Sequence, residues 1–102
     1  MKTLTTLIVT ASLALGANLA LARDIGPDEA LKLREAGSIQ SFEKLDEAAL
    51  AKHPGGQIED AELDEEGNRY IYDVELRDAK GVEWDLELDA ATGEVLKNHQ
   101  DD

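Results

Sequence analysis

The sequence predicts an α+β fold: an antiparallel three- to four-stranded sheet with one main helix packed on one face, plus a short N-terminal helix. Three features carry this expectation. Tyr70, Tyr72, Val74 and Leu76 alternate with Ile71, Asp73, Glu75 and Arg77, and Val82, Trp84, Leu86 and Leu88 alternate with Glu83, Asp85, Glu87 and Asp89, as in two half-buried strands. Phe42, Leu45, Ala49 and Leu50 recur at helical spacing upstream of them. Glycine-containing turns separate the elements.

The first two residues of a short basic start, Met1 and Lys2, precede a mostly apolar run from Leu4 to Leu15, and Ala20-Leu21-Ala22 has the small-x-small form of a cleavage site. Residues 1–22 are therefore expected to be a secretory signal peptide cut between Ala22 and Arg23. Asn18, the interspersed hydroxyl residues and the small-residue end argue against an uncleaved anchor. Residues 23–40 then form a lead-in, with Arg23 to Gly26 loose and a short helix from Pro27 to Ala36. Pro27 suits the first helical position, Asp28 and Glu29 the first turn, Lys32 and Arg34 the end, and Gly37 a left-handed stop. Leu31 and Leu33 are its only large apolar residues, so it must dock to persist.

The domain proper is expected over residues 41–98. Ser41 is placed to cap the main helix, which should run to about His53 and stop at Pro54-Gly55-Gly56. A weaker strand follows from Gln57 to Glu65. Leu63 and Ala61 share the side of Tyr70 and Tyr72 if the loop around Glu66-Gly67-Asn68 has two or four residues, and Ile58 joins them only if a bulge falls near Glu59 or Asp60.

The hairpin from Tyr70 to Leu88 is fixed by parity. An even loop would face the apolar set of one strand with the acidic set of the other, whereas a three-residue loop, Ala79-Lys80-Gly81 with Gly81 left-handed, pairs Leu76 with Trp84, Val74 with Leu86 and Tyr72 with Leu88. The same register sets Arg77 against Glu83, but also Glu75 against Asp85 and Asp73 against Glu87, like charges face to face. Asp89 to Gly93 reads as a tight turn, Val95 to Asn98 as a last strand and residues 99–102 as a flexible tail. Phe42, Leu45, Ala49, Tyr72, Val74, Leu76, Trp84, Leu86 and Leu88 form the expected core.

Leu33-Arg34-Glu35-Ala36-Gly37, His53-Pro54-Gly55-Gly56, Tyr70-Ile71-Tyr72-Asp73-Val74 and Asp89-Ala90-Ala91-Thr92-Gly93-Glu94-Val95 occur in an order and spacing that resembles the PepSY family, the small domain also found in propeptides of thermolysin-type metallopeptidases. Asp73 falls at a position usually acidic in such domains. The resemblance implies a helix laid across an antiparallel sheet, a place outside the cytoplasm, no catalytic residues, and a role in binding or restraining peptidases or modulating envelope signalling proteins. No peptidase domain follows here, so restraint in cis is not expected.

The composition narrows the chemistry. With 23 acidic against 10 basic residues the formal net charge is −13, which excludes nucleic acid and disfavours anionic lipid as partners, leaving cations or basic protein surfaces. There is no cysteine, His53 sits where a helix end favours a cation, and His99 lies in the expected tail, so no catalytic residue and no cofactor are assigned. Asp60-Ala61-Glu62-Leu63-Asp64-Glu65 puts Glu where a calcium loop needs Gly, and a zinc site lacks ligands. Asp73, Glu75, Asp85 and Glu87 are the candidate face for a cation or a basic partner, set against the plainer reading of a solvated sheet face. Trp84, Tyr70 and Tyr72 follow the strand period and are read as core. The function expected is that of a non-enzymatic, periplasmic or secreted protein-binding domain that inhibits a peptidase or modulates an envelope sensor. A small acidic cation-binding protein is the alternative.

Overall fold

Apolar side chains that recur on one side of neighbouring strands must be covered, and here one helix covers them. The computed structural model describes residues 22–101, so the expected signal peptide lies outside the described residues except for Ala22. The elements are β1 (Ala22–Ile25), α1 (Pro27–Glu35), α2 (Phe42–Ala51), β2 (Gln57–Glu66), β3 (Arg69–Arg77), β4 (Glu83–Asp89) and β5 (Val95–Gln100). The strands form one antiparallel sheet in the order β1-β2-β3-β4-β5.

The β3–β4 register is the one that parity dictates. Leu76 faces Trp84, Val74 faces Leu86 and Tyr72 faces Leu88. Gly81 takes φ 87°, its N–H donates to Asp78 O at 3.0 Å, and Asp78 N–H donates to Val82 O at 2.8 Å, which closes the three-residue loop. On β2 the register shifts between Ile58 and Asp60, so the bulge falls where phase required it and Ile58 returns to the Leu76 side. Glu66 pairs with Arg69, leaving a two-residue loop, and Leu63 and Ala61 stand opposite Tyr72 and Val74.

Ser41 Oγ accepts the Lys44 N–H at 3.2 Å and starts α2, whose Leu45 and Ala49 have no exposed surface. They pack over Val74, Leu76, Leu86 and Leu88, all equally sealed from solvent. Burial of this kind contributes on the order of 1.5–3 kcal/mol for each large aliphatic side chain. Gly56 lets the chain pass from α2 into β2 against the core. A Cβ there would stand 2.7 Å from Leu76 Cδ1 and 2.9 Å from His53 O.

The sheet has five strands rather than three or four because β1 joins it, and the last strand is longer than expected. Arg23 to Ile25, expected as a loose lead-in, belongs to β1, where Ile25 pairs with Leu63 and is 8% exposed while Arg23 bonds Glu29 and Glu65. The last strand also runs past Asn98. His99 pairs with Asp85, Gln100 with Trp84, and Asp101 N–H donates to Glu83 O at 2.9 Å, so the flexible tail expected from residue 99 is strand as far as Gln100. Both are outer strands held by backbone pairing, which leaves no alternation to read.

Two expected core residues sit at its rim. Phe42 is 37% exposed and stacks on Tyr72 with ring centroids 5.2 Å apart, because the first position of α2 lies beyond the covered part of the sheet. Trp84 is half-buried, and His53 lies on it at 4.3 Å. Ile25, Ala30, Ile39, Leu63 and Ala90 complete the core. α1 docks through Ala30 and, in part, Leu33, while Leu31 is 48% exposed.

Candidate protein-docking surfaces

Because β-strand side chains alternate, covering the apolar set with α2 forces the intervening carboxylates onto the opposite face. Asp73, Glu75, Asp85 and Glu87 meet there as Asp73–Glu87 and Glu75–Asp85 cross-strand pairs, and β2 adds Glu62 opposite Asp73 and Asp60 opposite Glu75. Together they line a shallow trough of about 260 Å³ that Lys97 also borders. Lys97 Nζ stands 4.0 Å from Glu87, too far for a tight pair. Asp73 is held above the ordinary carboxylate range first by desolvation and then by Glu87 and Asp85, and Glu75 likewise by desolvation and then Asp85.

Ile71 is buried on this acidic side, between Asp64 and Asp89. Asp64 faces Asp24 across β1 and β2, and its Oδ1 is buried without a hydrogen-bond partner. Its carboxyl is pushed up to about 6, by desolvation first and then by Asp24.

Two groups of three carboxylates, Asp24 with Glu62 and Asp64, and Glu75 with Asp85 and Asp101, bring one oxygen each within 4.8 Å of the others. Each combines two exposed residues with one half-buried, Asp64 and Asp85 respectively. Calcium is held by about six to eight oxygens, so three carboxylates amount to a diffuse negative surface rather than a coordination shell.

The helix side carries a second concavity, of about 340 Å³, between the starts of α1 and α2 and strand β2. Ile25, Ala30, Phe42, Ala61, Leu63 and Tyr72 form its apolar lining. The Tyr72 hydroxyl donates to Asp46 Oδ1 at 2.7 Å, and its pKa is raised by desolvation and by that carboxylate, so the ring is anchored as a neutral phenol.

At the other end of the sheet, Asp78 Oδ1 accepts the Lys80 and Val82 N–H groups, each at 2.9 Å, and Asp78 Oδ2 accepts Trp84 Nε1–H at 3.0 Å. These bonds, the one from Trp84 foremost, hold the Asp78 carboxyl below its usual range. His53 Nε2 lies 2.8 Å from Asn98 Oδ1, completing a chain of contacts from the hairpin loop to the last strand. The network fixes Trp84 in place. Nothing in the strand period marks Asp78 as an anchor, although an Asp directly before Ala79-Lys80-Gly81 is a turn signal.

Residues 39–99 match the family described as peptidase propeptide and YPEB domain, PepSY, and the chain belongs to that family. The match begins at buried Ile39 and takes in α2 and strands β2 to β4 with most of β5. The uncharacterized protein YkoJ of Bacillus subtilis (strain 168) is 37% identical over 60 residues, which cover 59% of this chain and 35% of that protein. The similarity thus spans about a third of the curated relative. No solved structure matches the chain. PepSY domains are protein-interacting and typically non-catalytic, of the propeptide and regulatory kind. Among the described residues no helix is long and apolar enough to cross a membrane.

Proposed function

We propose that this chain is a non-enzymatic exported binding domain that docks to a protein outside the cytoplasm, where it inhibits a peptidase or modulates an envelope sensor. Membership of the PepSY family, over more than half of the chain, carries the reading. The division of the sheet into a sealed face and a carboxylate face supports it, since the acids offer a basic surface long-range attraction and fast encounter. Export rests on the basic start, the apolar run and the Ala20-Leu21-Ala22 site. Cleavage before Arg23 keeps the Arg23, Asp24 and Ile25 pairs of β1 and removes only that of Ala22 with Glu66.

Crosslinking in the native cell envelope, followed by identification of the attached protein, tests the reading. A single recurrent partner is expected, and an envelope sensor or a secreted peptidase would specify which of the two roles applies. Recovery of the chain in the cytoplasm with its leader intact, or of no recurrent partner, would contradict it.

A further inference from the structure

We propose that the partner docks as an extended segment along the uncovered half of β2, Gln57–Glu62, with alternating side chains that are apolar toward the helix side and basic toward the acidic side. This rests on the protein-binding reading above and specifies its surface and chemistry. Two independent features of the fold meet at that edge.

The first is an interrupted outer strand. β1 pairs with β2 only from Leu63 to Glu66, and at Ile25 the chain turns away into α1. Among the described residues, Gln57–Glu62 has a strand neighbour on the β3 side alone. A strand edge without a neighbouring strand can accept another chain by β-addition, and a segment placed in line with β1 would extend the sheet, exchanging the cap that Asp60 Oδ1 places on the Ala61 N–H at 3.0 Å for a backbone partner.

The second is that the space beside this edge is already shaped for side chains of alternating character. On the helix side the incoming chain would meet the 340 Å³ groove floored by Ala61, Leu63 and Tyr72, with Phe42 exposed at its wall. On the other side it would meet Asp60 and Glu62, which continue into the carboxylate trough. A period of two in the partner places one apolar set in the groove and one basic set among the carboxylates along Asp60–Glu62, with the phase changing at the bulge between Ile58 and Asp60.

Charge decides the occupant. A second copy of this chain would bring its own excess of carboxylates, with a formal net charge of −13 on each, into contact with the same surface. A segment carrying Lys or Arg at every other position reverses that sign.

The probe is a short capped peptide in which valine and lysine alternate, added to the isotopically labelled full domain and followed by NMR, with a valine–glutamate peptide as control. The expected result is amide shifts and slowed hydrogen exchange at Gln57–Glu62, with side-chain shifts at Phe42 and Ala61, for the lysine peptide only. Affinity should fall several-fold when salt shortens the Debye length from about 30 Å to about 8 Å. Glu62→Lys should abolish the shifts, whereas Glu47→Lys, the same charge change on the exposed side of α2, should retain them. Because both positions are exposed, the variants should fold, and matching far-UV spectra verify this.

Shifts confined to Asp73, Asp85 and Glu87 with none at Gln57–Glu62 would overturn the edge as the docking site while leaving the protein-binding reading intact. Edge shifts that appear on concentrating the protein alone would overturn the basic partner in favour of a second copy. Absence of any shift with the lysine peptide would overturn the inference, and envelope crosslinking would still decide the broader reading separately.

Discussion

Tyr72 shows how one side chain links the core, the groove and the main helix. Its ring lies in the sealed face, stacks on Phe42 and lines the groove, while its hydroxyl reaches Asp46 on α2. Tyr72→Phe should cost about 1–2 kcal/mol in chemical denaturation, because Asp46 loses a donor that shields it from solvent. Leu86→Ala should cost about 2–5 kcal/mol, since Leu86 is fully enclosed and its neighbours close the cavity only in part. Gly56→Ala should cost about 1–3 kcal/mol through the close approach to Leu76 and His53, a loss read from the same denaturation curves. The Tyr72 and Leu86 positions follow from the strand period, whereas the Gly56 constraint does not. Its helix-stopping role is written in Pro54-Gly55-Gly56, but its close approach depends on which side chain of β3 lies across from it.

At the scale of elements, the β3–β4 hairpin and the β2 bulge were legible because both rest on parity. A one-residue slip would turn every apolar side chain to the acidic face, and only loops of the right parity avoid this. β1 and the end of β5 were not legible, since their backbones pair with a neighbour while their side chains show no periodic burial. The four carboxylates of β3 and β4 followed from the hairpin. Asp60 and Glu62 join them through the two-residue loop that sets the β2–β3 register, the bulge re-phasing only Ile58, and the groove depends on the point at which β1 leaves the sheet.

β1 also gives the sheet a dependence on pH. Asp64 titrates near 6 when folded, against an ordinary carboxylate value when unfolded, so the folded state takes up the proton first. This contribution to stability is present in full below the unfolded value and is lost as pH rises through about 6. Asp73 and Glu75, also raised, act in the same direction. Glu29, Glu59 and Asp78 are held low by Arg23, Arg77 and Trp84 respectively, and their contribution is lost at more acidic pH, as each is protonated. The melting temperature should therefore rise as pH falls from about 7 to about 5 and decline below about 4. Asp64→Asn should raise the melting temperature at neutral pH and shrink the rise. An unchanged slope in the variant would place the titration elsewhere.

For the molecule as a whole, the sheet separates a covered apolar face from a carboxylate-rich one. One face buries most of the aliphatic and aromatic residues beneath α2, and the other, apart from buried Ile71, concentrates like charges that oppose each other across strands. Added sodium chloride should raise the melting temperature by screening that face, and a melting temperature independent of salt would remove the repulsion from the account. The docking of a basic partner depends on a small domain in which the two faces are kept apart.

Interproton distances measured by NMR on the full domain test that separation most directly. The indole of Trp84 should give cross-peaks to the His53 ring, and the Tyr72 ring to Phe42, with none from the Trp84 ring to the side chain of Asp73 or Glu87 and none from the Tyr72 ring to that of Glu87. Cross-peaks from the Trp84 ring to the side chain of Asp73 or Glu87, or from the Tyr72 ring to the side chain of Glu87, would place the rings on the acidic face and contradict the account.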